Sequence, residues 1–167
     1  MSYEIYQVRV GLLLVMLTLI FGIGMGTYFG VAEDSVKTYI SDGVEAHPSV
    51  HDNKSTSKIW RYAQRSHFHA TGISAFSIGL ILLIIASNLK PTLKTISSTL
   101  VGLGGLYPMS WFTMFILAPS MGRDAAHHHI ITETLTYVGI GGLLLGLAIL
   151  CANLFFEMFN DPDSFTS

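Results

Sequence analysis

Seven histidines carry most of the chemical interest of this sequence. Two of them, His67 and His69, open a long apolar stretch within Arg65-Ser66-His67-Phe68-His69-Ala70-Thr71-Gly72. Three more, His127, His128 and His129, stand together ahead of another such stretch. Imidazole ligates zinc, copper, nickel and iron, so these residue types point to a transition-metal ion or a haem without choosing between them. Glu133 follows His129 by four residues, the spacing that puts both on one helix face. A carboxylate about one turn inside an apolar segment is costly and usually has a partner or a role. It can accept a hydrogen bond from a metal-bound ring and fix its tautomer, or ligate directly. The candidate cofactor ligands are therefore His67, His69 and His128. The candidate metal ligands are His69, His127, His128, His129 and Glu133. The plain alternative is a set of solvated interfacial histidines with no ligand at all.

The elements that must position these groups are membrane helices. Half of the 167 residues are hydrophobic and 12% are charged, against about 25% in an ordinary soluble domain. Uncharged runs cover 10–32, 66–89, 95–122 and 134–156. Each exceeds the ~20 residues that a helix needs to cross a bilayer core. Runs of this length select helices over a barrel, because a helix satisfies its own backbone in lipid. The pattern predicts an all-α, up-down four-helix membrane bundle, a single domain with spans near 10–31, 67–87, 96–117 and 128–156. The first run is too long for a cleaved signal core and reads as a retained signal anchor. The hydrophilic segment 33–65 is expected to hold a short helix near 34–40, a turn, and a lead-in helix from Ser57.

Smaller signals refine this picture. Gly22, Gly26 and Gly30 share one helix face, where small residues let another backbone approach closely. Pro108 is expected to kink the third span and Pro119 to end it. The tail 160–167 reads as an acidic, frayed exit. The lone Cys151 forbids an intrachain disulfide and argues against thiolate metal sites and iron–sulfur clusters. Met109, Met114 and Met121 offer soft axial ligands, although methionine in an apolar helix is ordinarily core filler. The net charge of −2 gives no sign of a nucleic-acid partner.

Four spans place both termini on one side of the bilayer and all seven histidines on or near the other. That segregation brings two separate clusters to one depth of one bundle. On a helix His67 and His69 are ~200° apart, so both cannot point inward. His69 shares its face with Gly72, Phe76 and Gly79 and is expected inward, with His67 at the rim. The three clustered histidines sweep a similar arc, so at least one of them should also point inward.

At His67-Phe-His69-Ala-Thr-Gly72 the chain resembles the His-x-His-x-x-Gly helices of haem-carrying membrane proteins of the haem–copper oxidase and nitric-oxide-response type. Gly102-Leu-Gly104-Gly105-Leu-Tyr107-Pro108, followed by Trp111, is similar to a pattern in uncharacterised bacterial four-helix membrane proteins that open a helix with His-Phe-His. The resemblance implies a haem- or metal-adjacent role near respiration, carried on His67 and His69, in the bacterial inner (cytoplasmic) membrane. It also points the histidines toward the periplasm. Lysine and arginine point the other way. Arg9, Lys90 and Lys94 lie on the termini side, and Lys37, Lys54, Lys58, Arg61, Arg65 and Arg123 on the histidine side.

The resulting expectation is a multi-pass membrane protein with a histidine-lined haem or metal site at one face, serving electron transfer, sensing or assembly. The alternative is a non-catalytic accessory subunit packed by its glycine faces against a larger respiratory-type complex, or a homo-oligomer. No nucleophile–base pair, phosphate loop or paired carboxylates inside the bundle point to an enzyme.

Overall fold

In a computed structural model, residues 3–162 of the chain are described. Six helices account for the four spans: α1 (Tyr3–Ala46), α2 (Ser55–Ala86), α3 (Pro91–Leu103), α4 (Leu106–Met121), α5 (Arg123–His127) and α6 (Ile130–Phe156). A single 3₁₀ turn, Pro48–Val50, lies between α1 and α2. Four stretches, Tyr3–Ala46, Ser55–Ala86, Pro91–Met121 and Ile130–Phe156, are long and apolar enough to cross a membrane. The expected all-α, up-down four-helix architecture is present. Of the acidic tail, residues 163–167 lie outside the described residues.

The segment 33–65 holds the expected helix, turn and lead-in helix, but its first helix is longer than expected and continues α1 to Ala46, and its second starts at Ser55. The 44 residues of α1 span about 66 Å, roughly twice a bilayer core. A bend at Ala32 (φ −128°, ψ 31°) separates the apolar part from a hydrophilic extension. The physical reason is a helical stripe inside the polar stretch. Val36 and Ile40 on α1 and Ile59 and Ala63 on α2 are each four residues apart and buried. They close over Phe115, Ala118 and Ala126 to form a core at the histidine end. A second core, with Val8, Val15, Ile81, Ile84, Val101 and Leu150, holds the termini end.

The third span occupies the middle. Its two halves, α3 and α4, pack between them against α1, α2 and α6, whereas α2 and α6 scarcely meet. Its break falls at Gly104–Gly105 rather than at Pro108. Both glycines keep helical angles but bond back three residues, to Val101 and Gly102, which tightens the winding. Pro108 sits in the first turn of α4, where its missing donor is an orphan anyway. Pro119 does not end α4, which runs two residues further to Met121.

Backbones touch at the crossings around this span. A Cβ on Gly146 of α6 would stand 2.8 Å from the Ser97 carbonyl oxygen, and one on Gly102 2.8 Å from that of Gly11. The Ser97 hydroxyl donates across the same crossing to the Gly146 carbonyl at 2.8 Å. The Ser66 hydroxyl of α2 donates to the Pro108 carbonyl of α4 at 2.9 Å. Lipid supplies no hydrophobic drive between helices, so close packing and such bonds must hold the bundle. Near the termini, the buried Lys94 donates at 2.7 Å to the carbonyl of Ile85 in the last turn of α2, where the helix dipole favours a cation. Gly146→Val is expected to destabilise the bundle by about 1–3 kcal/mol through overpacking, read as a lowered thermal midpoint in detergent. Gly141→Val, where nothing lies within 4 Å, serves as the control and should leave the midpoint close to the parent's.

Candidate functional site

His67 and His69 leave α2 on opposite sides, as their spacing demands. Their roles differ from the expected pair of one inward and one rim residue. Both are half-buried, each against a different helix. His67 faces α1: its Nδ1 donates to the Gly22 carbonyl at 2.7 Å. Gly26 makes room for the ring, since a Cβ there would fall 2.5 Å from Cε1 of His67. Donation from Nδ1 leaves Nε2 of a neutral ring as an acceptor. His69 faces α4, with its ring centroid 5.1 Å from that of Tyr107 and 6.0 Å from that of Trp111.

The triple histidine does not open one continuous helix. His127 closes α5, and α6 begins at Ile130 instead of His128. His129 adopts an extended conformation (φ −66°, ψ 135°) and caps α6, its Nδ1 accepting from the Ile131 amide at 3.3 Å. This break changes the phase of the cluster. Glu133 consequently pairs with His128 rather than His129, Oε1 to Nδ1 at 3.1 Å. Asp124 lies on the far side of the same ring, 4.0 Å from its Nε2. The His127 ring stands edge-on to that of His128 with centroids 4.9 Å apart. A bond from the Thr132 hydroxyl to the Ala126 carbonyl, at 2.9 Å, locks α5 onto α6.

These groups border a cleft of about 170 Å³ between α4 and α6, lined by Tyr107, Ser110, Trp111, His127, His128 and Glu133 among others. Tyr107 and Trp111 therefore touch His69 and also line the cleft. The two histidine groups communicate through aromatic rings, not through a shared ligand position. The indole N–H of Trp111 is buried without an acceptor among the described residues, while Arg65 lies 4.7 Å over its ring. As placed, no three His, Cys, Asp or Glu side chains among the described residues form a metal-binding group. Sequence reasoning missed Tyr107 and Trp111 as site residues. Their spacing of four on α4 was the available signal.

A polar latch closes the same face. Asp52 accepts from the Ser55 hydroxyl at 2.9 Å and the Lys54 amide at 3.0 Å, and pairs with Arg123 at 2.8 Å. His51 Nε2 donates to the Pro119 carbonyl at 3.0 Å. Gly122 (φ +85°) takes a left-handed turn against Val50, where a Cβ would meet the Val50 carbonyl oxygen at 2.9 Å. The Ser55 hydroxyl, with the Lys54 amide and Arg123, holds the Asp52 carboxyl below its ordinary value.

Four apolar helices around these groups define a multi-pass membrane protein. No family model, curated protein or solved structure matches the chain.

The Asp52 latch has a pH signature. A carboxyl whose folded value is depressed stabilises the fold above the unfolded value, near 3.8, and loses that contribution as pH falls below it. Thermal midpoints measured from pH 6 down to pH 2 should fall in that acid window. Asp52→Asn should flatten this part of the profile, and an unchanged profile would refute the latch.

Proposed function

We propose that this membrane protein works through the cleft between α4 and α6 and that the cleft takes one transition-metal ion. The observation that carries the proposal is the His128–Glu133 pair at 3.1 Å with His127 beside it. Two imidazoles and a carboxylate suit a borderline divalent ion such as zinc, nickel or copper. The rings of His127 and His128 are exposed, and exposed side chains change rotamer within nanoseconds, so a third ligand lies within reach of the pair. Solvent completes the coordination, which makes the ion exchangeable. That suits sensing or metal delivery better than a sealed electron-transfer centre. The resemblance at His67 and His69 supports a setting in the bacterial inner membrane.

Haem, which the resemblance implies, does not fit the same residues. His67 bonds to α1, His69 stacks on α4, and the cleft is smaller than the roughly 300–1,000 Å³ of sites that take drug-sized ligands. His129 is occupied as a helix cap, and His69 stands behind Tyr107 and Trp111.

Competition against a chromophoric chelator, on detergent-purified protein, should give one ion per chain. His128→Ala and Glu133→Gln should each weaken binding by about tenfold or more, and His69→Ala should not. Protein that takes up no stoichiometric metal, or variants that bind as the parent does, would reject the proposal. A strong Soret absorption would return the reading to haem.

A second reading is an accessory subunit of a larger respiratory-type complex. Gly72 and Gly79, seven residues apart on α2, have nothing within 4 Å of a would-be Cβ, unlike the glycines at the internal crossings. Comigration with a large assembly in blue-native electrophoresis, lost in Gly79→Leu, would favour it.

A further inference from the structure

The proton on His128 fixes where an ion can sit. Glu133 Oε1 stands 3.1 Å from Nδ1 of that ring. An ionised carboxylate only accepts, so Nδ1 carries the hydrogen and donates it. In the neutral ring the metal-binding lone pair is then on Nε2, the nitrogen turned away from Glu133. An ion on Nε2 therefore lies across the ring from that carboxylate.

Asp124 occupies that other side. Its Oδ1 is 4.0 Å from His128 Nε2, too far for a hydrogen bond. Two donors held by one tetrahedral ion, each about 2.0–2.2 Å from it, stand roughly 3.4 Å apart. A small side-chain rotation closes the gap with an ion between them. The Asp124 carboxylate is fully exposed and free to make it. Its neighbour Arg123 does not neutralise it, being engaged by Asp52 at 2.8 Å. The backbone beneath is fixed. The His128 amide donates to the Asp124 carbonyl at 3.0 Å, Ala126 between them is buried, and the Thr132 hydroxyl holds the Ala126 carbonyl at 2.9 Å. The spacing of four thus sets both side chains on one face of a pinned turn.

The second imidazole is close by. The His127 ring is exposed and edge-on to that of His128, with centroids 4.9 Å apart, and a rotamer change carries it toward the same point. We propose that Asp124 is the carboxylate ligand of the ion, joined by His128 Nε2 and His127, and that Glu133 orients His128 without ligating. This assignment rests on the metal reading of the cleft and puts the ion at its solvent-facing rim, where water fills the remaining positions. Two imidazoles, one carboxylate and no sulfur favour a divalent ion over copper(I).

The test adds cobalt(II) chloride to the detergent-purified full chain, read by its d–d absorption, which reports the donor set, and by chelator competition. The parent should bind one equivalent. Asp124→Asn should alter the absorption band and weaken binding by about tenfold or more, and Asp124→Glu, which keeps the carboxylate, should recover most of both. Glu133→Gln should weaken binding by about tenfold or more yet keep the parent's band, as a positioning residue would. Asp124→Asn that binds as the parent does, or Glu133→Gln that changes the band, would overturn the assignment alone. A parent that takes up no cobalt would reject the metal reading and the assignment with it. Should Glu133→Gln fail to fold, the Asp124 variants settle the matter, because that side chain is fully exposed.

Discussion

Direct backbone contact around the third span is the constraint on which the structure depends. That span packs broadly against all three others, so its neighbours must come close on several sides at once. Water drives no association between helices inside lipid, and side-chain bulk at the crossings would hold them apart. Gly11, Gly102 and Gly146 remove that bulk, and Ser66 and Ser97 use the proximity to bond to carbonyls across it. The tightened turn at Gly104–Gly105 offsets α3 from α4. One half of the span serves the termini end and the other the histidine end.

This arrangement also explains why the histidines do not converge. With the third span between them, α2 and α6 face each other across α4 rather than directly. His69 meets α4 from α2, while His127 and His128 approach from the end of α5, ahead of α6. Tyr107 and Trp111 fill the interval. The site is thus an aromatic partition with imidazoles on both sides and a carboxylate on one.

Much of the architecture was legible because hydropathy over long runs is a summed signal. Four uncharged stretches leave few alternatives, and the glycine spacing on α1 marked the face that Gly22 and Gly26 present to α2. The hydrophilic segment was less legible, because Val36, Ile40, Ile59 and Ala63 form a sparse stripe among polar residues. The histidine geometry was hidden for a local reason. A helix phase carried from His128 through Glu133 assumes an unbroken helix, and the extended conformation of His129 resets that phase. The Glu133 partner was right in kind, a histidine, and shifted by one residue. The depth of the two clusters followed from topology, but their separation depended on which helix lies between them. Periodicity does not report that.

The placement of α6 has a mechanical corollary. It rests almost wholly on the third span, with little hold on α1 or α2. Among the described residues its further ties include the Thr132–Ala126 bond and the His128–Glu133 pair at one end and, at the other, the tail strapped to the turn after α2 through Lys90–Phe159 and Asn88–Asp161. Tension applied to the C-terminal end in a bilayer therefore unstraps the tail and peels α6 away first. A three-helix remnant stays behind with both buried cores largely intact.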